Sequence, residues 1–221
     1  LKTSLLDIFF GTVTFLVVAL VSVLLVWFGF RPLTIPILGD YHVLVDGLVG
    51  LTVYGVFSAL VLRFSLFLYP LKPGVYSPQD SHATYWRWAT VTYHFGLKAL
   101  SPVTTSINLP LILKLFGAKI GPGVAIGGRI DTPFFVTVGA GAVLGNNTVV
   151  SGDVISDGKI TLGPVRIGPG STVGANAVIF PGSEIGAHAT VQVGTVVLPG
   201  TAIPDGENWR GNPARRWLGD K

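Results

Sequence analysis

Residues 167–203 read IGPGSTVGANAVIFPGSEIGAHATVQVGTVVLPGTAI, and in this run Ile167, Val173, Ile179, Ile185, Val191, Val197 and Ile203 fall six apart. Upstream, Ile120, Ile126, Thr132, Val138, Leu144 and Val150 keep the same spacing. The residue four places on is small or β-branched at Val124, Val136, Ala142, Thr148, Ser171, Ala177, Ser183, Ala189, Thr195 and Thr201, with Ile130 the exception. Gly follows the aliphatic residue at 121, 127, 139, 145, 168, 174 and 186.

Neither a two-residue strand period nor a 3.6-residue helix period produces this pattern. A chain that makes a short strand and then a corner every six residues does. The aliphatic residue then points into a narrow triangular interior, the small one accompanies it, and Gly is expected to supply the corner's backbone angles. Three sides make a coil of 18 residues, so the thirteen repeats predict about four coils of an all-β parallel β-helix over 120–221. Between Val150 and Ile167 the spacing breaks, so residues 151–166 (SGDVISDGKITLGPVR) must leave the coil as a loop. Long excursions from a rigid scaffold commonly carry function.

The rest of the chain is of another kind. Of 221 residues, 49% are hydrophobic and 12% charged, and mean hydropathy is +0.62, which excludes disorder. Eight Lys/Arg stand against four Asp/Glu before residue 120, and seven of each follow, so the net charge of +4 belongs to the first part. A basic excess on apolar sequence points to the cytoplasmic face of a membrane and not to nucleic acid. With no cysteine there is no disulfide framework, thiolate nucleophile or Cys-ligated metal. The chain also lacks Met, even at position 1, which reads as a piece of something longer.

Residues 8–30 carry no charge over 23 positions, enough for a helix to cross roughly 30 Å of hydrocarbon; a signal peptide is the alternative, but its apolar core spans only about 7–15 residues and no small-residue cleavage site follows. Residues 43–71 are apolar apart from Asp46 and Arg63. The segment between them, with Pro32 and Pro36, is expected to be the loop of a transmembrane helical hairpin over 1–71. Asp46 reads as a snorkelling charge near a helix end, or as a functional intramembrane carboxylate. If both runs cross, Lys2, Arg63, Lys72, Arg87 and Lys98 share one side against Arg31, placing the second half on the cytoplasmic side of the cytoplasmic membrane. Residues 84–101 (TYWRWATVTYHFGLKALS) are aromatic and sparsely charged, as a helix in the headgroup region would be. A helix packed on the following domain is the other reading. The expected division is 1–71 hairpin, 72–119 interfacial and linking helical segment, and 120–221 β-helix with its loop and a C-terminal cap.

The six-residue pattern resembles the left-handed β-helix of the hexapeptide-repeat acyltransferases. The end of the chain, Trp209, Arg210, Gly211, Asn212, Pro213 and Ala214 with Arg215 and Arg216, resembles the motif that closes the coil in that family and borders the cofactor's pantetheine and phosphates. PGVYSPQDSHATYWRW, SINLPLILKLFGAKIG and IDTPFFVTVG are similar to landmarks in the membrane-embedded C-terminal region of poly-lysine-synthetase-type nonribosomal peptide synthetases. The resemblance covers about residues 70–216. It implies a membrane-anchored acyl or aminoacyl transferase that moves a group from a pantetheine thioester, on CoA or a carrier protein, to an amine or hydroxyl acceptor. It implies membrane lipid as a partner and homo-oligomers formed through flat coil faces. The alternative is a noncatalytic scaffold or oligomerisation module of a membrane-bound synthetase.

Attack on a thioester is helped by a general base, and histidine suits neutral pH. Hexapeptide acyltransferases often carry that histidine on a loop leaving the coil, but here the loop offers Asp153, Asp157 and Lys159 and no histidine. The candidate catalytic residues are therefore Asp153, His188, His82 and His94; His42 falls in the hairpin. His188 takes an outward position in its repeat, where a polar residue is ordinary. Arg210, Arg215 and Arg216, with Gly211, Asn212 and Pro213, are the candidate donor-binding residues, since guanidinium forks match phosphate and Gly and Pro set the turn. Zinc ligation, a Walker loop, a nucleophile elbow and a dinucleotide fingerprint are all missing from the sequence, so no metal is expected.

Overall fold

The computed structural model describes residues 5–219, so Lys2 of the charge argument lies outside the described residues. The chain divides into two compact units, 1–71 with 84–105, and 72–83 with 106–221.

The first unit is helical. Helix α1 (Leu5–Leu25) continues into a π-helical turn at Val26–Phe30, α2 covers Arg31–Leu38, and α3 covers His42–Leu68. The expected loop between the apolar runs is thus helical. Pro32 sits in the first turn of α2, where a missing N–H costs little. Gly39, at φ +54°, ends α2 before a 3₁₀ turn at Gly39–Tyr41. α1 packs on α3 and buries Val18, Ser58, Ala59 and Leu62, while most other apolar side chains of both helices stay exposed. The helical stretch Asp7–Leu68 has the length and composition of a membrane anchor, with only 11% of its most apolar window buried.

Helix α4 (Ser81–Ala99) buries Trp86, Ala89, Tyr93 and Gly96, a stripe of three- and four-residue steps. Its partners within this unit are the apolar helices. Arg87 pairs with Asp7 at 2.9 Å, Trp88 Nε1 donates to Thr14 Oγ1 at 2.9 Å, and the Tyr85 hydroxyl meets Ser65 Oγ at 2.9 Å. Burial raises the Tyr85 phenol above its ordinary pKa, and the hydrogen bond to Ser65 partly offsets this. Residues 84–99 thus pack on α1 and α3 within this unit.

The second unit is a β-rich domain of parallel ladders. Its three long sheets hold five, six and four strands, and apart from the antiparallel pair that ends the six-stranded sheet, successive strands in each come from successive turns of the chain. Val173 pairs with Val191, Ile179 with Val197 and Ile185 with Ile203, each 18 residues apart. Every aliphatic residue of the six-residue column from Val138 onward, and Ile120 and Ile126 before it, is buried. Burial of each is worth on the order of 1.5–3 kcal/mol. Beside them Ser171 Oγ donates to Gly168 O and Thr148 Oγ1 to Gly145 O, both at 2.7 Å, whereas the buried Thr195 Oγ1 has no partner among the described residues.

Two expectations change here. Thr132 does not take the inward position. Ile130 does, pairing with Val150, so one side is shortened to four residues and the next lengthened to eight. The total is unchanged, which keeps the later repeats in phase, and Thr132 is freed for another task. The glycines after the aliphatic residues do not supply the corner angles either. A Cβ on Gly174 would lie 2.5 Å from Val193 N and one on Gly145 2.6 Å from Ala175 N, so these positions are Gly because the next coil's backbone lies against them. The left-handed angle belongs to the residue three places after the aliphatic one, as at Gly194 (φ +68°), Asn147 (φ 58°) and Asn176 (φ 57°).

Candidate active site

The break at 151–166 leaves the coil as an ordered hairpin of Asp153–Ser156 and Lys159–Leu162, turned by Asp157 (φ 51°) and Gly158 (φ 71°). Positive φ at both central residues is the type I′ geometry that matches strand twist. At its base Gly163 N donates to Gly152 O at 2.9 Å, and Gly152 N donates to the buried Thr132 Oγ1 at 2.6 Å. A Cβ on Gly152 would meet the Phe135 Cβ at 2.5 Å, so the lengthened side carrying Thr132 and Phe135 is what the exit of the hairpin rests on. Val138 pairs with Ile167, 29 positions on instead of 18, so the hairpin adds eleven residues without shifting register.

The hairpin has a third strand. Gly74–Tyr76 pairs antiparallel with Lys159–Leu162, setting Gly74 opposite Leu162 and Tyr76 opposite Ile160. The Tyr76 hydroxyl donates to Lys72 O at 2.9 Å, and the His82 ring stacks on the Tyr76 ring at 5.1 Å and 7°. The first turn of α4 therefore brings a half-buried imidazole against Tyr76 of the strand that pairs with the excursion, whose own sequence lacks a histidine. Asp153 lies on the hairpin's first strand opposite Leu162, where its Oδ1 accepts from Ser151 Oγ at 3.0 Å. Asp153 and Tyr76, the ring on which His82 stacks, thus lie on the two outer strands of one three-stranded sheet.

The other histidines lie elsewhere. His188, exposed at φ 56°, fills the left-handed corner position, and its ring lies over Gly170 in the preceding coil. His94 is exposed on α4 in the helical unit, its Nδ1 2.8 Å from Thr90 O. Where the hairpin rejoins the coil, a groove of about 410 Å³ runs over the sheet face, lined by Arg166, Pro169, Glu184, Ala187, Pro204 and Asp205. Arg166 and Glu184 are ion-paired across adjacent strands, and Asp205 Oδ1 accepts from Ala187 N at 2.7 Å.

At the cap, Asn208–Arg210 turns back on Arg215–Arg216 as an antiparallel pair. Gly211 O accepts from Val196 N and Ala214 N donates to Val196 O, which ties the turn containing Asn212 and the cis Pro213 to the last coil. Arg216 pairs with Glu207 at 3.1 Å, and Arg210 lies over the Trp217 ring at 4.9 Å. Arg215 is exposed and has no ion-pair partner among the described residues. Glu207, Trp217, Tyr76 and Thr132 were absent from the sequence-derived site. Among the described residues, no three His, Asp or Glu side chains gather as a metal site.

No family model matches this sequence. The delta-poly-L-ornithine synthetase of Acinetobacter baumannii (strain AB307-0294) is 30% identical over 134 residues, which are 60% of this chain and 10% of the synthetase. The chain thus spans about a tenth of that relative's length. Its structural neighbours are hexapeptide-repeat acetyltransferases. One from Vibrio cholerae has a TM-score of 0.42 and 19% identity, covering 52% of this chain and 82% of that one. A galactoside acetyltransferase in complex with coenzyme A has a TM-score of 0.49 and 14% identity over 71% and 89%. A maltose O-acetyltransferase from Clostridium difficile 630 has a TM-score of 0.43 and 21% identity over 66% and 92%.

Proposed function

We propose that this chain is a membrane-anchored acyl or aminoacyl transferase, taking the acyl group from a pantetheine thioester on CoA or a carrier protein and passing it to an amine or hydroxyl. The observation that carries the reading is the stacking of His82 on Tyr76, on the strand that completes the excursion. A histidine from the first turn of α4, stacked on a strand from outside the coil, takes the part that a loop histidine plays in the resembling family. Similarity to a delta-poly-L-ornithine synthetase over 134 residues supports an amine acceptor.

In this mechanism the acceptor nitrogen attacks the thioester carbonyl and forms the C–N bond. His82 takes the proton the nitrogen sheds, the C–S bond breaks, and the leaving thiolate recovers a proton from the imidazolium. Asp153 orients the acceptor amine, being the one carboxylate on the hairpin's first strand. The pantetheine arm follows the groove that begins at Arg166, and its phosphates meet Arg215, with Arg210 and Arg216 held nearby by Trp217 and Glu207. His188 and His94 serve as surface groups.

The anchor belongs to the same proposal. Residues 1–71 cross the bilayer as a helical hairpin, 72–119 link it along the interface, and the 120–221 domain winds as a left-handed coil on the cytoplasmic side. Flat coil faces that carry Val143 and Val193 exposed provide the surface for a homo-oligomer.

The test is transfer of a labelled acyl group from CoA, or from a loaded carrier, to an amine by the full chain in detergent. His82→Ala is expected to lower turnover by about 10²–10⁴-fold with KM little changed. Retained turnover in that variant removes His82 from the mechanism, and failure of either donor to bind at millimolar concentration leaves the scaffold reading in its place.

A further inference from the structure

The helical unit contains a second concentration of polar chemistry. A cavity of about 460 Å³ is walled by Ala19, Val23, Val26 and Leu51, yet Arg31, His42 and Asp46 also line it. His42 and Asp46 stand one turn apart on α3 and so share a face. The buried Thr34 donates to Asp46 Oδ1 at 2.7 Å, which fixes that carboxylate and leaves Oδ2 without a partner among the described residues. Arg31 follows the π-helical turn, and its guanidinium sits 4.0 Å from the centre of the Trp27 ring. Such turns frequently mark functional positions in helices.

His42 defines what the cavity asks for. Its Nδ1 lies 2.7 Å from Gly39 O. A carbonyl only accepts, so Nδ1 carries the proton and Nε2 presents a lone pair. Nε2 is buried and has no hydrogen-bond partner among the described residues. A buried acceptor left unpaired is costly, and its residue lines the same space as the Asp46 carboxylate. Two acceptors on one helix face call for a group with several N–H donors, and a guanidinium at the same cavity calls for an anion. The apolar walls call for hydrocarbon.

We infer that this cavity binds a zwitterionic amphiphile, with a primary ammonium received by Asp46 and His42 and a phosphate met by Arg31. A phospholipid bearing an ethanolamine headgroup has this chemistry. A choline headgroup does not, because its quaternary nitrogen has no N–H to give, and a glycerol headgroup lacks the cation. The inference rests on the membrane reading above and is independent of the transfer reaction.

The full chain in detergent, titrated with phosphatidylethanolamine, phosphatidylcholine or phosphatidylglycerol and followed by native mass spectrometry, tests it. Phosphatidylethanolamine is expected to bind at least about tenfold more tightly than the other two. Asp46→Asn, which retains an acceptor for Thr34 and so the local fold, and His42→Phe each remove that preference; Arg31→Gln weakens phosphatidylethanolamine and phosphatidylglycerol together. Equal binding of the choline lipid, or an unchanged preference in Asp46→Asn, overturns the assignment. Soluble phosphoethanolamine binding as tightly as the lipid overturns the acyl-chain part. Release of the chain from membranes by alkaline carbonate refutes the membrane reading itself, whereas a retained chain without headgroup preference refutes this inference alone.

Discussion

Replacing Gly174 and Gly194 in parallel separates two reasons for the glycines of the coil. At Gly174 an added Cβ would sit 2.5 Å from Val193 N and 2.7 Å from Gln192 C, both backbone atoms of the next coil. Gly174 N also donates to Val191 O at 2.7 Å, so the coils cannot part there without stretching that bond. Overpacking of this kind costs about 1–3 kcal/mol, and weakening the adjacent hydrogen bond adds about 0.5–1.5 kcal/mol. We expect Gly174→Asn to lose about 3 kcal/mol. At Gly194 a Cβ meets nothing within 4 Å, and the only demand is φ +68°. Asn already fills the equivalent corner at 147 and 176, and it tolerates the left-handed region, so Gly194→Asn should stay within about 1 kcal/mol of the parent. The assay is urea unfolding of the full chain in detergent micelles, read by the β-sheet circular dichroism signal. A gap of about 2 kcal/mol corresponds to a roughly 30-fold difference in the unfolding constant. If Gly174→Asn unfolds at the same or higher urea than Gly194→Asn, the close-approach argument is wrong and the corner-angle explanation returns.

Two further outcomes follow from the geometry. Asp7 and Arg87 have side chains only 6% and 13% exposed, so Asp7→Asn, which removes the carboxylate paired with the buried guanidinium, should cost about 3–5 kcal/mol in thermal unfolding; Asp7→Asn combined with Arg87→Met should recover most of it. His188→Gly removes a side chain from a left-handed corner, so Tm should hold or rise and turnover should change less than about twofold; lost turnover at unchanged Tm would move the base from His82 to His188.

The coil was legible because its packing is periodic in sequence. An interior that admits one aliphatic chain per side has to repeat that chain every six residues, and the buried column from Val138 to Ile203 follows the reading residue by residue. Thr132 was misplaced because a four-residue side and an eight-residue side cancel, which spacing alone cannot distinguish from two sixes. The glycine column was seen and its reason mistaken, since sequence spacing carries no information about the distance to the next coil. Asp157 and Gly158 are a strong local signal for a hairpin that the broken periodicity overshadowed. The pairing of Gly74–Tyr76 with that hairpin, about 85 positions away, has no short-range signature, so the sequence named His82 as a candidate without its stacking on Tyr76. At the cap the motif located the arginines, but their partners Glu207 and Trp217 depend on how the chain folds back.

The strand Gly74–Tyr76 also shields a boundary. Without it, the outer edge of Lys159–Leu162 would present bare N–H and C=O groups beside Ile160 and Leu162. Such an edge is a template for another strand. A chain trimmed to begin at residue 106 would keep every turn of the coil and yet expose that template, and two trimmed copies could satisfy it by joining hairpin to hairpin. Residues 72–83 therefore act as a stopper against self-association as well as a carrier of the imidazole, which makes the solubility of the coil depend on a segment outside its repeats.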